Sequence, residues 1–109
     1  MNGADDALML SANHHLRAEN YPEAAQDYKL LRDNYPDSPH FKDAFILGSH
    51  VTFASYQGSA YDGRALQEAR ELKQTALQMF GDLTPEQRKR MQEELDLLKI
   101  AEEARPVNG

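Results

Sequence analysis

A chain of 109 residues with a formal net charge of −6 has room for one domain and lacks the basic excess expected of a nucleic-acid-binding surface. Its hydrophobic share of 40% and charged share of 28% match an ordinary globular chain and argue against disorder. It contains no cysteine, which removes disulfides and thiolate metal sites without fixing a compartment, and no apolar run approaches the roughly 18 residues that a membrane span requires.

In chain order, the first predicted helix covers about residues 5 to 18, with Leu8, Ala12 and His15 on one face. The second covers 21 to 34, where Ala24, Tyr28 and Leu31 keep the same spacing and Pro36 ends it, because proline cannot donate to the preceding turn. Small Ala12 faces small Ala24 across this hairpin. The third helix is expected over 39 to 55, with Ser38 as its cap, Pro39 in its first turn, and Ala44, Leu47, Gly48 and Val51 as its apolar stripe. The fourth spans 65 to 80 and carries Leu66, Ala69, Leu72, Ala76, Leu77 and Phe80. Glycine weakens a helix, so Gly48 is expected to mark a close approach of the facing helix at Ala69. Between the two lies Tyr56 to Gly63, a glycine-rich segment with strong turn chemistry. The fifth helix, about 84 to 105, opens on the capping box Thr84–Gln87 with Pro85 at its first position. The pairs Glu86–Arg90, Lys89–Glu93, Arg90–Glu94 and Lys99–Glu103 support it at i, i+4. With Val51-Thr52 as the sole β-branched pair, the fold class is all-α.

The fifth helix is apolar on two sides. Met91, Leu95 and Leu98 cluster on one face and are expected to pack against Leu72, Leu77 and Phe80. Leu97, Ile100 and Ala104 fall on nearly the opposite face, which makes a candidate seam for self-association into a weak homodimer.

The stretch YPEAAQDYKLLRDNYPDS, from Tyr21 to Ser38, resembles a tetratricopeptide repeat, with its small residue, aromatic and terminal proline in fixed register. Gly48 follows Ala12 by 36 residues, near the repeat period of roughly 34. Ala69 follows Ala24 by 45, so the second repeat has gained nine residues in its turn. The resemblance implies a solenoid of two antiparallel hairpins and a long final helix: repeat 1 over about 5–36, repeat 2 over about 38–81 with an insertion at 56–63, and an additional helix over 84–105. Tyr35-Pro36-Asp37-Ser38 and the expanded second turn further resemble the BamD-type proteins of bacterial outer-membrane assembly. SYQGSAYDGRALQEAR, Ser55 to Arg70, is similar to that family's planctomycete-like branch. Members are lipoproteins anchored through an N-terminal cysteine. This chain has neither that cysteine nor an apolar leader, so the resemblance implies an excised piece of a periplasmic or outer-membrane-associated protein; otherwise the setting is cytoplasmic.

A unit of that class binds proteins or peptides and brings no chemistry of its own. By the resemblance, its groove is lined by Met9, Asn13, Leu16, Arg17, Phe45, Ser49, Thr52 and Phe53, with Tyr56 and Tyr61 as loop contacts. No catalytic, cofactor or metal residues are expected. His14 and His15 point about 100° apart and cannot chelate one ion; His15 is expected in the core and His14 in solvent. His40 and His50, ten residues apart near opposite ends of the third helix, share no obvious carboxylate partner. The 18 acidic residues spread over what read as solvated faces. Gly58 and Gly63 fit no phosphate-loop pattern, and no serine sits in GxSxG. The competing reading is a structural spacer or oligomerisation segment of a larger helical-repeat protein.

Overall fold

The computed structural model describes the backbone of residues 3–57 and 63–104 and, within them, the side chains of all but Tyr56, Gln57, Gly63, Ala65 and Ala104. Five helices account for nearly all of it: α1 (Ala4–Arg17), α2 (Tyr21–Asn34), α3 (Phe41–Gln57), α4 (Gly63–Met79) and α5 (Pro85–Ala104). No strand occurs among the described residues. Every helix end lies within two residues of its expected position.

The turns follow from local chemistry, with one surprise. α1 closes in a Schellman arrangement, the left-handed reversal that satisfies its last carbonyls. Asn20 N–H donates to His15 O at 2.8 Å and Glu19 N–H to Leu16 O at 3.1 Å. The left-handed residue this requires is Glu19, at φ 61°, where glycine would be usual. Ser38 does not cap α3 as expected. It sits in the preceding turn, accepts from His40 N–H at 3.0 Å and donates to Asp5 at 2.6 Å. Pro39 accordingly precedes α3, which starts two residues late. At α5 the capping box is complete, Thr84 N–H donating to Gln87 Oε1 at 3.0 Å and Gln87 N–H to Thr84 Oγ1 at 3.1 Å. Two orphan donors of the first turn are satisfied reciprocally.

Each helix packs chiefly on its neighbour in sequence: α1 on α2, α2 on α3, α3 on α4, α4 on α5. Central α3 must therefore bury more than one stripe, as a helix flanked on several sides does; Ala44, Phe45, Ile46, Gly48, Ser49, Val51, Thr52 and Phe53 are all buried. One core joins α1, α2 and α3 through Met9, Ala12, Ala24, Tyr28, Leu31, Ala44 and Val51. A second joins α3, α4 and α5 around Phe45, Ile46, Ala76, Leu83 and Met91, with Leu72, Leu77 and Phe80 at its edge. There Phe41, Phe45 and Phe80 meet edge to face, with centroids 5.1 to 6.2 Å apart, the arrangement that ring quadrupoles favour. A third groups Phe53, Leu66, Ala69 and Leu98.

Gly48 marks a close approach, but not the expected one. A Cβ there would run into the Arg32 guanidinium and touch Tyr28 Cβ at 3.3 Å, so the helix that comes close is α2. Arg32 crosses the glycine, donates to Ala44 O at 3.1 Å and lies 5.4 Å over the Phe45 ring, close enough for cation–π attraction. Ala69 instead packs with Phe53, Leu66 and Leu98.

Candidate functional site

The eight groove positions separate into two groups. Met9, Phe45, Ser49, Thr52 and Phe53 are buried. The two hydroxyls are consumed inside α3, Ser49 Oγ donating to Ile46 O at 3.0 Å and Thr52 Oγ1 to Gly48 O at 2.8 Å, the back-bonding usual for hydroxyls within a helix. Leu16 is half-buried against the first core. Asn13 accepts from the buried Tyr28 hydroxyl at 2.6 Å. Burial pushes that phenol up to about 12, because a phenolate is poorly solvated there. Arg17 is exposed. The set is mainly interior packing, because α3 is enclosed where the resemblance implies one open side. Tyr61 and the side chain of Tyr56 lie outside the described residues, while α3 continues through Gln57.

The densest polar constellation is one the sequence reading missed. Lys73 on α4 is 0% exposed. Its ammonium donates to Ser49 O at 2.9 Å, Ser49 Oγ at 3.2 Å and Glu94 Oε1 at 2.8 Å. It also lies 5.3 Å over the Phe53 ring, within cation–π range. The same Glu94 oxygen is 2.8 Å from His50 Nδ1, and Arg90 Nε reaches Glu94 Oε2 at 3.3 Å. A single carboxylate on α5 thus gathers α3 and α4. His50 and His40 each meet a carboxylate, Glu94 at 2.8 Å and Asp6 at 2.7 Å, and as expected the two histidines share none. The carboxylates are not all solvated either, since Asp5 and Glu94 are buried.

Burial alone would raise the Glu94 carboxyl, but hydrogen bonds from His50 and Lys73, with the charge of Lys73, outweigh it and hold it at about 2. Burial pulls the Lys73 ammonium below its ordinary value, against the hydrogen bond it donates to Glu94. A serine beside a lysine of lowered basicity is the raw material of nucleophilic catalysis. Here Ser49 Oγ is turned to a backbone carbonyl, and Ser49 and Lys73 both have no exposed surface for a substrate to reach. The arrangement can clamp three helices, and it has no approach for a reacting molecule. Among the described residues no group of three His, Cys, Asp or Glu side chains is placed to hold a metal, and His15 is half-buried beside exposed His14.

Among the described residues, large apolar side chains face solvent on four helices: Leu10 on α1, Leu30 on α2, Met79 on α4, and Leu97 and Ile100 on α5. On α5, Met91, Leu95 and Leu98 are buried, whereas Leu97 and Ile100 are 52% and 60% exposed. Met91 lies beside Leu72, Leu77 and Phe80 as expected, but Leu98 packs with Phe53, Leu66 and Ala69 instead. Ala104 ends that helix, and its side chain lies outside the described residues. No described helix is long and apolar enough to cross a membrane. Comparison with known protein families, with curated proteins and with solved structures found no match.

Proposed function

We propose that the chain is a helical-repeat interaction scaffold, a tetratricopeptide-like stack of two hairpins and a further helix, that binds a protein partner through helix faces. The observation carrying this reading is α5, apolar on two sides, with Met91, Leu95 and Leu98 covered and Leu97 and Ile100 open. A helix that simply ended a stack would turn a polar face outward. Packing in chain order, the repeat-like spacing of Ala12, Ala24, Gly48 and Ala69, and a central helix buried on several sides support the same reading. On the resemblance to BamD-type proteins, the setting we propose is the bacterial envelope, in an outer-membrane assembly complex.

The five buried groove positions favour a second reading, a rigid spacer with no groove ligand. Three baits separate the two: the wild type, Leu97→Glu with Ile100→Glu, and Arg17→Glu, each incubated with envelope and cytosolic extracts. The scaffold reading expects a discrete protein that the wild type retains and the α5 variant loses, and that binds saturably once purified. A spacer retains the same background with all three. Retention from the cytosolic extract alone would remove the envelope setting.

A further inference from the structure

Leu10 on α1 is 71% exposed, more than any other large apolar side chain described. One such residue needs no explanation. However, it lies on the helix at one end of the packing order, and Leu97 and Ile100 lie on the helix at the other end. The two apolar spots also carry different shoulders. With successive side chains turned by about 100°, exposed His14 and Arg17 stand beside Leu10. Asp6 on the same face is engaged by His40 at 2.7 Å. Beside Leu97 and Ile100 stand Glu93, Asp96 and Glu103, all exposed. Lys89 lies one turn before Glu93 and exposed Lys99 one turn before Glu103. Neighbouring Arg90 is already held by Glu94, so three carboxylates stand there against two lysines.

We propose that the open face of α5 receives α1 of a second copy of this chain, Leu10 covering Leu97 and Ile100 while His14 and Arg17 meet the acidic shoulder. The inference rests on the scaffold reading and names the partner of its open face. Pairing α5 with α5 instead would set acidic shoulder against acidic shoulder, which is unfavourable. Because α1 and α5 are different surfaces, the contact is heterologous. Each added copy leaves one free α1 and one free α5, so assembly runs past the dimer unless the rotation closes a ring. Three apolar side chains make a small interface, so association is weak, with a dissociation constant on the order of 0.1–1 mM.

Sedimentation from about 10 μM to 1 mM, a range that brackets this constant, tests it on four samples: wild type, Leu10→Glu, Leu97→Glu with Ile100→Glu, and an equimolar mixture of the two variants. The sites are exposed, and unchanged circular dichroism will confirm folding. The wild type is expected to grow beyond the dimer with concentration, and each variant to stay monomeric. The mixture is expected to form a dimer and stop there, because one α1 and one α5 remain competent. Arg17→Glu is expected to weaken the wild-type assembly about threefold or more, as loss of a rim charge pair does. A Leu10→Glu variant that still dimerises would show symmetric α5 pairing and overturn the proposal, as would a monomeric mixture. A wild type monomeric throughout overturns it too, but leaves the scaffold reading to the capture experiment above.

Discussion

The two halves of this molecule bury their interiors by different chemistry. Between α1, α2 and α3 the buried core is aliphatic apart from Tyr28, whose hydroxyl reaches out to Asn13. Tyr21 and Tyr35 stand at its edge, with the Asp5–Ser38 pair beside it. Between α3, α4 and α5 an aliphatic and aromatic core surrounds a buried lysine, its carboxylate and a histidine. The first kind loses stability in proportion to the atoms removed. The second is coupled, since removing one member strands another in a low-dielectric interior.

The largest expected effect breaks that second half. Glu94→Ala leaves the buried Lys73 ammonium without its carboxylate and should cost about 3–5 kcal/mol, read from the denaturation midpoint. Lys73→Ala leaves Glu94 with His50 and Arg90 and should cost less. Lys73→Met with Glu94→Leu removes both charges and should cost far less than the sum of the single changes. Additive costs would show that the pair is not coupled.

Acid should divide the halves in the same way. Glu94 takes its proton near 4.5 in the unfolded chain and near 2 in the folded one. Its contribution is therefore complete above pH 4.5 and is lost as pH falls toward 2, because the unfolded chain then binds the proton first. Asp5, held down by its bond from Ser38, and Asp82, held down by Lys42, act in the same direction. Denaturation midpoints taken from about pH 5 down to about pH 2 should fall steeply for the wild type and less steeply for the Lys73→Met, Glu94→Leu variant. Equal slopes would place the acid sensitivity elsewhere.

A smaller effect belongs to the contact joining the halves. Gly48→Leu drives a side chain into Arg32 and Tyr28 and should cost roughly 1–3 kcal/mol or more. An unaltered midpoint would mean that α2 does not lie against α3 at Gly48. The smallest effect should stabilise. Glu19→Gly relieves a left-handed residue in the α1–α2 turn and should add about 0.5–1 kcal/mol. A loss of stability there would contradict the Schellman geometry.

Helix positions were legible because apolar periodicity, Pro36 and the Thr84–Gln87 box are local signals. So were the two faces of α5, since Met91, Leu95 and Leu98 against Leu97 and Ile100 is a matter of angle alone. The buried network was legible in principle. Lys73 stands on the stripe Leu66, Ala69, Lys73, Ala76, and Glu94 stands between Met91 and Leu98, so opposite charges occupy core positions on consecutive helices. Counting carboxylates as solvated by default hid that signal. The helix facing Gly48 was not legible, because a small residue announces a close approach without naming what approaches. Nor was the φ of Glu19, since the turn lacks the glycine that usually reports it.

Everything proposed about partners depends on α5 presenting one covered and one open apolar face. The chain has no cysteine of its own, so single Leu97→Cys and Leu98→Cys variants can be labelled with a thiol reagent. Working at about 10 μM, roughly tenfold or more below the expected self-association, keeps the chain monomeric. The account predicts that the thiol at position 97 reacts near the rate of an unfolded control, and that the one at 98 reacts roughly a hundredfold more slowly or less, limited by opening of the core. Equal rates at the two positions, or protection of position 97 in the monomer, would contradict it.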